Sequence, residues 1–289
     1  MRPRSGPTVE HRVLATRLRM LRERAGVSLQ AAAVALGAHP ATVRRIERAE
    51  TGLDAQQVSV LLECYAVPGT EAEPIMAGLA AANLPGWWHR WRDAMEPWQQ
   101  EVIGIESSAA LVRTWHPALV PELLRTPAYE AALCRTLTAG PASRLDGRLE
   151  LLAERQRRLR ERGAALWALL PAAALHTRVG GPAVMAGQRA ALEEAAHQRH
   201  LTVQITPLDF PPHPMTGVPP LHLLRVAAPE IGDRAVLEIP GARVDIIGDP
   251  AAVLDYRIRM DGACAAAPHP ASPLPEGTGA PEPLEGGAR

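Results

Sequence analysis

Glycines and prolines cut residues 13–82 into short helical pieces, and this punctuation constrains the N-terminal fold more than any other feature. The breaks fall near Gly26, Gly37, Gly52 and Pro68-Gly69. Leu14, Leu18 and Leu21 recur at helical spacing with arginines on the opposite face, which predicts a first helix over Leu14–Ala25 with Gly26 past its end. Ser28 is placed to cap a second helix, Leu29–Leu36, which Gly37 ends. Pro40 suits the first position of a third, running to Glu50. There Val43 and Ile46 face inward, leaving Thr42, Arg44, Arg45 and Arg48 toward solvent. Two short helices joined by a tight glycine turn, the second rich in arginine, form a helix-turn-helix arrangement.

Charge divides the chain in the same place. The whole is neutral, with 31 basic and 31 acidic side chains in 289 residues, and every basic one is arginine. Residues 1–52 hold ten arginines against four glutamates, a net of +6, so the other 237 carry −6. A uniformly basic nucleic-acid coat is excluded; a small basic module is not. One Phe, three Tyr and six Trp leave alanine, leucine and valine to fill the core, which favours close-packed helices. There is no apolar run of about 18 residues, so no membrane helix is expected, and the N-terminus does not read as a signal peptide. Cys64, Cys134 and Cys264 are too few and too scattered for a disulfide framework or a CxxC site, which suits a reducing cytoplasm.

The pattern along the chain predicts an α+β protein, mainly α. A flexible arm (residues 1–10) precedes a five-helix domain (11–82), a larger helical domain (83–265) and a disordered Pro/Gly-rich tail (266–289). Residues 87–200 read as mainly helical, most clearly over Ser143–Arg162. After residue 200 the runs LTVQITPL, LHLLRVA, RAVLEIP and ARVDIIG read as strands of a small, mostly antiparallel sheet. A final helix is expected from Pro250 to about Ala266, with Asp249 as its N-cap.

Residues 12–67 closely resemble the Xre/Cro-type helix-turn-helix domain. The matching marks are Leu18-Arg19-x-Leu21-Arg22, Ala25-Gly26-Val27-Ser28, Leu36-Gly37 and Thr42-Val43-x-Arg45-Ile46-Glu47. The resemblance implies a structural ion pair between Arg22 and Glu47 and double-stranded DNA as partner. Base-edge donors and phosphate-binding arginines are what DNA contact requires, and Gln30, His39, Thr42, Arg44, Arg45 and Arg48 supply them. The bland alternative is a solvated charged face. Three departures reduce the expected phosphate contact: Leu29 replaces a glutamine, the second helix is alanine-rich, and Ala49–Asp54 is not basic.

Residues 87–265 resemble the domain of unknown function that follows such modules in regulators from high-GC filamentous bacteria. Its marks include Trp87-Trp88, Leu111-Val112-Arg113-Thr114-Trp115, Val179-Gly180-Gly181-Pro182 and Asp249-Pro250. The resemblance implies sensing of a small-molecule effector or interaction with a small partner protein, in control of secondary-metabolism or developmental genes, and a homodimer with this domain as the dimer surface. Glu122, Arg125 and His116 depart from the usual glycine, glutamine and acidic residue. Trp88 and Trp91 share a helical face and either pack a neighbouring helix or line a ligand pocket with Arg113, Trp115, His116 and His213.

Neither GxSxG, Walker A, GxGxxG nor HExxH occurs, and no metal and no cofactor is expected. His213 with Asp209 or Glu238, and His116, are the acid–base candidates if the chain is an enzyme. Two readings therefore stand: a cytoplasmic DNA-binding regulator, or a helix-turn-helix scaffold that has lost DNA binding. In the second, the C-terminal pocket binds or transforms a metabolite, as in a cofactor-free cyclase or isomerase.

Overall fold

The computed structural model describes residues 7–137, 142–239, 243–270 and 272. The chain forms two compact units, one of residues 1–110 with 224–233, the other of residues 111–223 with 234–289.

The first unit opens with the five expected helices: α1 (Val9–Arg24), α2 (Leu29–Ala35), α3 (Pro40–Glu47), α4 (Ala55–Cys64) and α5 (Gly69–Ala82). Helix α1 starts earlier than Leu14 because the Thr8 hydroxyl accepts the His11 amide and caps the first turn. Its Val9 and Glu10 therefore belong to a helix, while the rest of the expected arm to Gly6 lies outside the described residues. Gly26 (φ 66°) and Gly37 (φ 59°) take the left-handed conformation that turns the chain back after α1 and α2. Helix α3 is shorter than expected. It ends at Glu47, and the reversal is made by Ala49 (φ 58°), not by Gly52. The amides of Ala49 and Glu50 bond back to the carbonyls of Ile46 and Arg45, the paired bonds of a Schellman turn. Leu14, Leu18, Leu21, Val43, Ile46, Leu61 and Leu79 close one apolar core across these helices.

Past this bundle, Trp87–Ala94 is a 3₁₀ helix and Pro97–Glu106 is α6. Residues three apart eclipse in a 3₁₀ helix, and Trp88 and Trp91 are both buried. Trp87 meets each of them edge-on, at 5.7 and 5.9 Å between ring centroids.

The sheet has six strands: β1 (Ala109–Trp115), β2 (Ala165–Pro171), β3 (Leu201–Thr206), β4 (Leu221–Val226), β5 (Arg234–Ile239) and β6 (Arg243–Ile247), in the order 3-2-1-4-5-6. Strands β3, β2 and β1 run parallel, and β5 and β6 antiparallel. The Ala227 amide, just past β4, bonds the Ser108 carbonyl, just before β1, so those two strands are antiparallel. The sheet is thus mixed and begins far earlier than residue 200. Strands β1 and β2 lie in the stretch read as mainly helical, because central strands covered on both faces do not alternate. Helices α7 (Pro127–Leu137), α8 (Ala142–Glu161), α9 (Ala172–His176), α10 (Pro182–Ala196) and α11 (Pro250–Ala266) complete the second unit. Asp249 caps α11 by accepting the Ala252 amide at 2.9 Å. Of the expected tail, Ala266 closes α11 and Ala267 is buried; residue 271 and residues 273–289 lie outside the described residues.

Candidate functional site

Helix α3 presents a polar face built on a locked base, beside an α2 whose exposed residues are Gln30, Ala31, Val34 and Ala35. Arg22, in the last turn of α1, donates from Nε to Glu47 Oε1 at 2.7 Å and from Nη2 to Oε2 at 3.0 Å. Its Nη1 donates to the Val27 carbonyl at 3.0 Å. Glu47 is buried, and this hydrogen bonding holds Arg22 even more firmly protonated than usual. The pair thus fixes the end of α3 against α1 and the turn that follows it, the role the resemblance implied.

On the solvent side, Gln30, Arg44 and Arg45 are exposed and Thr42 half-buried, with no side-chain partner among the described residues. Arg48 is exposed and only loosely paired with Glu50, at 3.9 Å. His39 has a structural task as well. Its Nδ1 accepts the Ala41 amide at 3.2 Å and caps α3, which leaves its exposed ring edge beside the helix N-terminus. Leu29, where the related domains carry a glutamine, packs against the core instead of reaching outward. That Arg44, Arg45 and Arg48 are exposed follows from helical period and charge alone.

In the second unit the sites were less legible. Strands β1, β2 and β3 end together, and parallel strands place ligand crevices outside their carboxyl ends. A cleft of about 290 Å³ lies there, walled by Trp115, Phe210 and His213 with Pro171, Thr206 and Thr216. Trp115 and His213 meet edge-on at 5.3 Å, and Phe210 lies 5.6 Å from His213. Trp115 Nε1 donates to the Val218 carbonyl at 3.0 Å, so the indole is fixed. His213 Nδ1 accepts the Met215 amide at 3.2 Å, which puts the ring proton on Nε2. Partial burial lowers the His213 pKa, so the ring is neutral at pH 7.

The other expected pocket residues do not join this cleft. Trp88 and Trp91 pack within the first unit. Arg113 is engaged inside the second unit by Asp261, by Cys264 Sγ at 3.6 Å and by the Trp167 ring at 5.0 Å. His116 Nδ1 accepts the amides of Ala118 (3.2 Å) and Leu119 (2.9 Å), which forms the turn after β1. Glu238 pairs with His222 at 3.0 Å rather than with His213, because the two stand side by side at the facing ends of β4 and β5.

The three departures noted in the sequence share one electrostatic cluster. Glu122 pairs with Arg155 at 2.6 Å, and Arg125 with Glu130 at 2.9 Å. Burial pushes the Glu122 carboxyl up, but Arg155 and Arg125 outweigh it and hold it at about 2. Burial, then Arg125, lowers His116 to about 4. Nothing in the spacing of Glu122, Arg125 and Arg155 signals this arrangement, since Arg155 comes from α8.

The model of a domain of unknown function, DUF5753, matches residues 99–273. The chain belongs to this family. The model of a helix-turn-helix domain matches residues 13–75, the segment that carries α2 and α3. Neither a curated protein nor a solved structure matches the chain. The helix-turn-helix domain supports DNA binding and transcription regulation for this member of the DUF5753 family. Among the described residues no helix is long and apolar enough to cross a membrane.

Proposed function

We propose that this DUF5753 protein is a cytoplasmic transcriptional regulator that reads double-stranded DNA with α2 and α3, as a homodimer, under the control of an effector bound by its second unit. One observation carries the reading. Gln30 of α2 and Thr42, Arg44 and Arg45 of α3 have no side-chain partner among the described residues, while the Arg22–Glu47 pair fixes α3 against α1. Unengaged arginines on a rigid helix after a tight turn suit base edges and phosphates. The resemblance to regulators of high-GC filamentous bacteria supports secondary-metabolism or developmental genes as targets, and a two-fold site for a two-fold protein.

The test is selection of bound fragments from genomic DNA by the full chain, followed by footprinting. A recurring, two-fold-related sequence protected at low protein concentration supports the reading. Recovery of unrelated fragments with uniform affinity contradicts it and favours the scaffold that has lost DNA recognition.

A further inference from the structure

The cleft at the carboxyl ends of β1, β2 and β3 has a definite chemical character. Its walls are one indole, one phenyl and one imidazole ring with four prolines, and no arginine, aspartate or glutamate lines it. An ionic ligand would lose its water there without gaining a counter-charge. At about 290 Å³ the space sits at the lower end of the usual range of roughly 300–1,000 Å³ for ligand pockets.

Two polar groups at its wall are unengaged. The His213 Nε2–H has no acceptor among the described residues, because Nδ1 takes the Met215 amide. The Thr206 side chain makes no hydrogen bond among them either, although the residue is only 2% exposed. By contrast Thr216 Oγ1 already accepts the His213 amide, and Trp115 Nε1 is committed to Val218. A flat ring would find apolar walls, and an oxygen on it would find two hydrogen-bonding groups.

We propose that this cleft binds an uncharged, planar molecule of one or two fused rings bearing a carbonyl oxygen, with the rings against Trp115 and Phe210 and the oxygen accepting from His213 Nε2 and Thr206. This names the effector class for the regulator proposed above and rests on that reading only for its consequence on DNA, not for the binding itself.

The probe is coumarin, which has two fused rings, a lactone carbonyl and no charge. Naphthalene, of similar shape without the oxygen, and the anionic coumarin-3-carboxylate serve as comparisons, all titrated into the full chain by calorimetry. Coumarin is expected to bind more tightly than either. Thr206→Val and His213→Phe, each checked for an unchanged unfolding midpoint, are expected to weaken it by about two- to tenfold and to leave naphthalene unaffected. Absence of coumarin binding, equal binding of the carboxylate, or no change in both variants overturns the proposal. The same titration on the DNA-bound protein separates the two claims. Coumarin binding without any change in DNA affinity leaves this site in place and removes its effector role.

Discussion

Arg22 grips both carboxylate oxygens of Glu47 and the carbonyl of Val27, so one guanidinium ties the end of α1, the last turn of α3 and the bend between α1 and α2. Removing it leaves a buried carboxylate without its partner. Arg22→Ala should therefore cost about 3–5 kcal/mol, measured by urea unfolding. Replacing both partners, as in Arg22→Met with Glu47→Leu, should restore most of that loss. Equal destabilisation in the single and double variants would show that the side chains matter through packing alone.

Two of the turns in this unit carry an avoidable strain. Ala49 and Ala66 adopt φ of 58° and 51°, a conformation that costs an alanine about 1–2 kcal/mol relative to glycine. Ala66 is exposed, so Ala66→Gly should stabilise the unit by about 0.5–1 kcal/mol after the entropy of the freer unfolded chain is counted. Ala49 is buried, and the loss of its methyl group should offset the relief and leave Ala49→Gly near neutral. Thermal unfolding of the two variants side by side checks this contrast.

The cluster around β1 makes a signed prediction about acid. His116 is held at about 4, below its ordinary 6.5, so the folded protein takes up its proton later than the unfolded chain as pH falls. Stability is intact above about pH 6.5 and is lost progressively down to about pH 4, by on the order of 3 kcal/mol. Glu122, held at about 2, extends the loss from about pH 4.5 downward by the same logic. His116→Asn keeps an acceptor for the amides of Ala118 and Leu119 but does not titrate. Its unfolding midpoint should fall less than that of the native chain through the upper window, where His213 still titrates, and fall equally in the lower one.

What the sequence revealed depended on how local the signal was. Helices α1 to α5 were legible because Gly26, Gly37 and Ser28 act within one turn of the backbone they shape, and α11 because Asp249-Pro250 does the same. Strands β3 to β6 were legible as β-branched runs between turn residues. Strands β1 and β2 were not, since AALVRTW and ALWALLP are largely buried on both faces, Arg113 and Thr114 included, and lack a period. The outward placement of Thr42, Arg44, Arg45 and Arg48 follows from the period of a single helix, α3, and could be read directly. The cleft brings Thr206 from β3 to Trp115 from β1 and to Phe210 and His213 from a later loop, and no spacing along the chain encodes that meeting.

In the proposed function α3 binds DNA through Arg44 and Arg45. The most direct measurement is the dissociation constant of the full chain for its selected DNA site across salt concentrations, for the native sequence and for Arg44→Ala with Arg45→Ala. Each phosphate contact contributes about 0.9 to the slope of log affinity against log salt. The double variant should bind more weakly and lower that slope by up to about 2, with its unfolding midpoint unchanged, since neither side chain has an internal partner among the described residues. Identical affinity and slope in the two proteins, or no binding by the native chain at about 50 mM salt, would contradict the account.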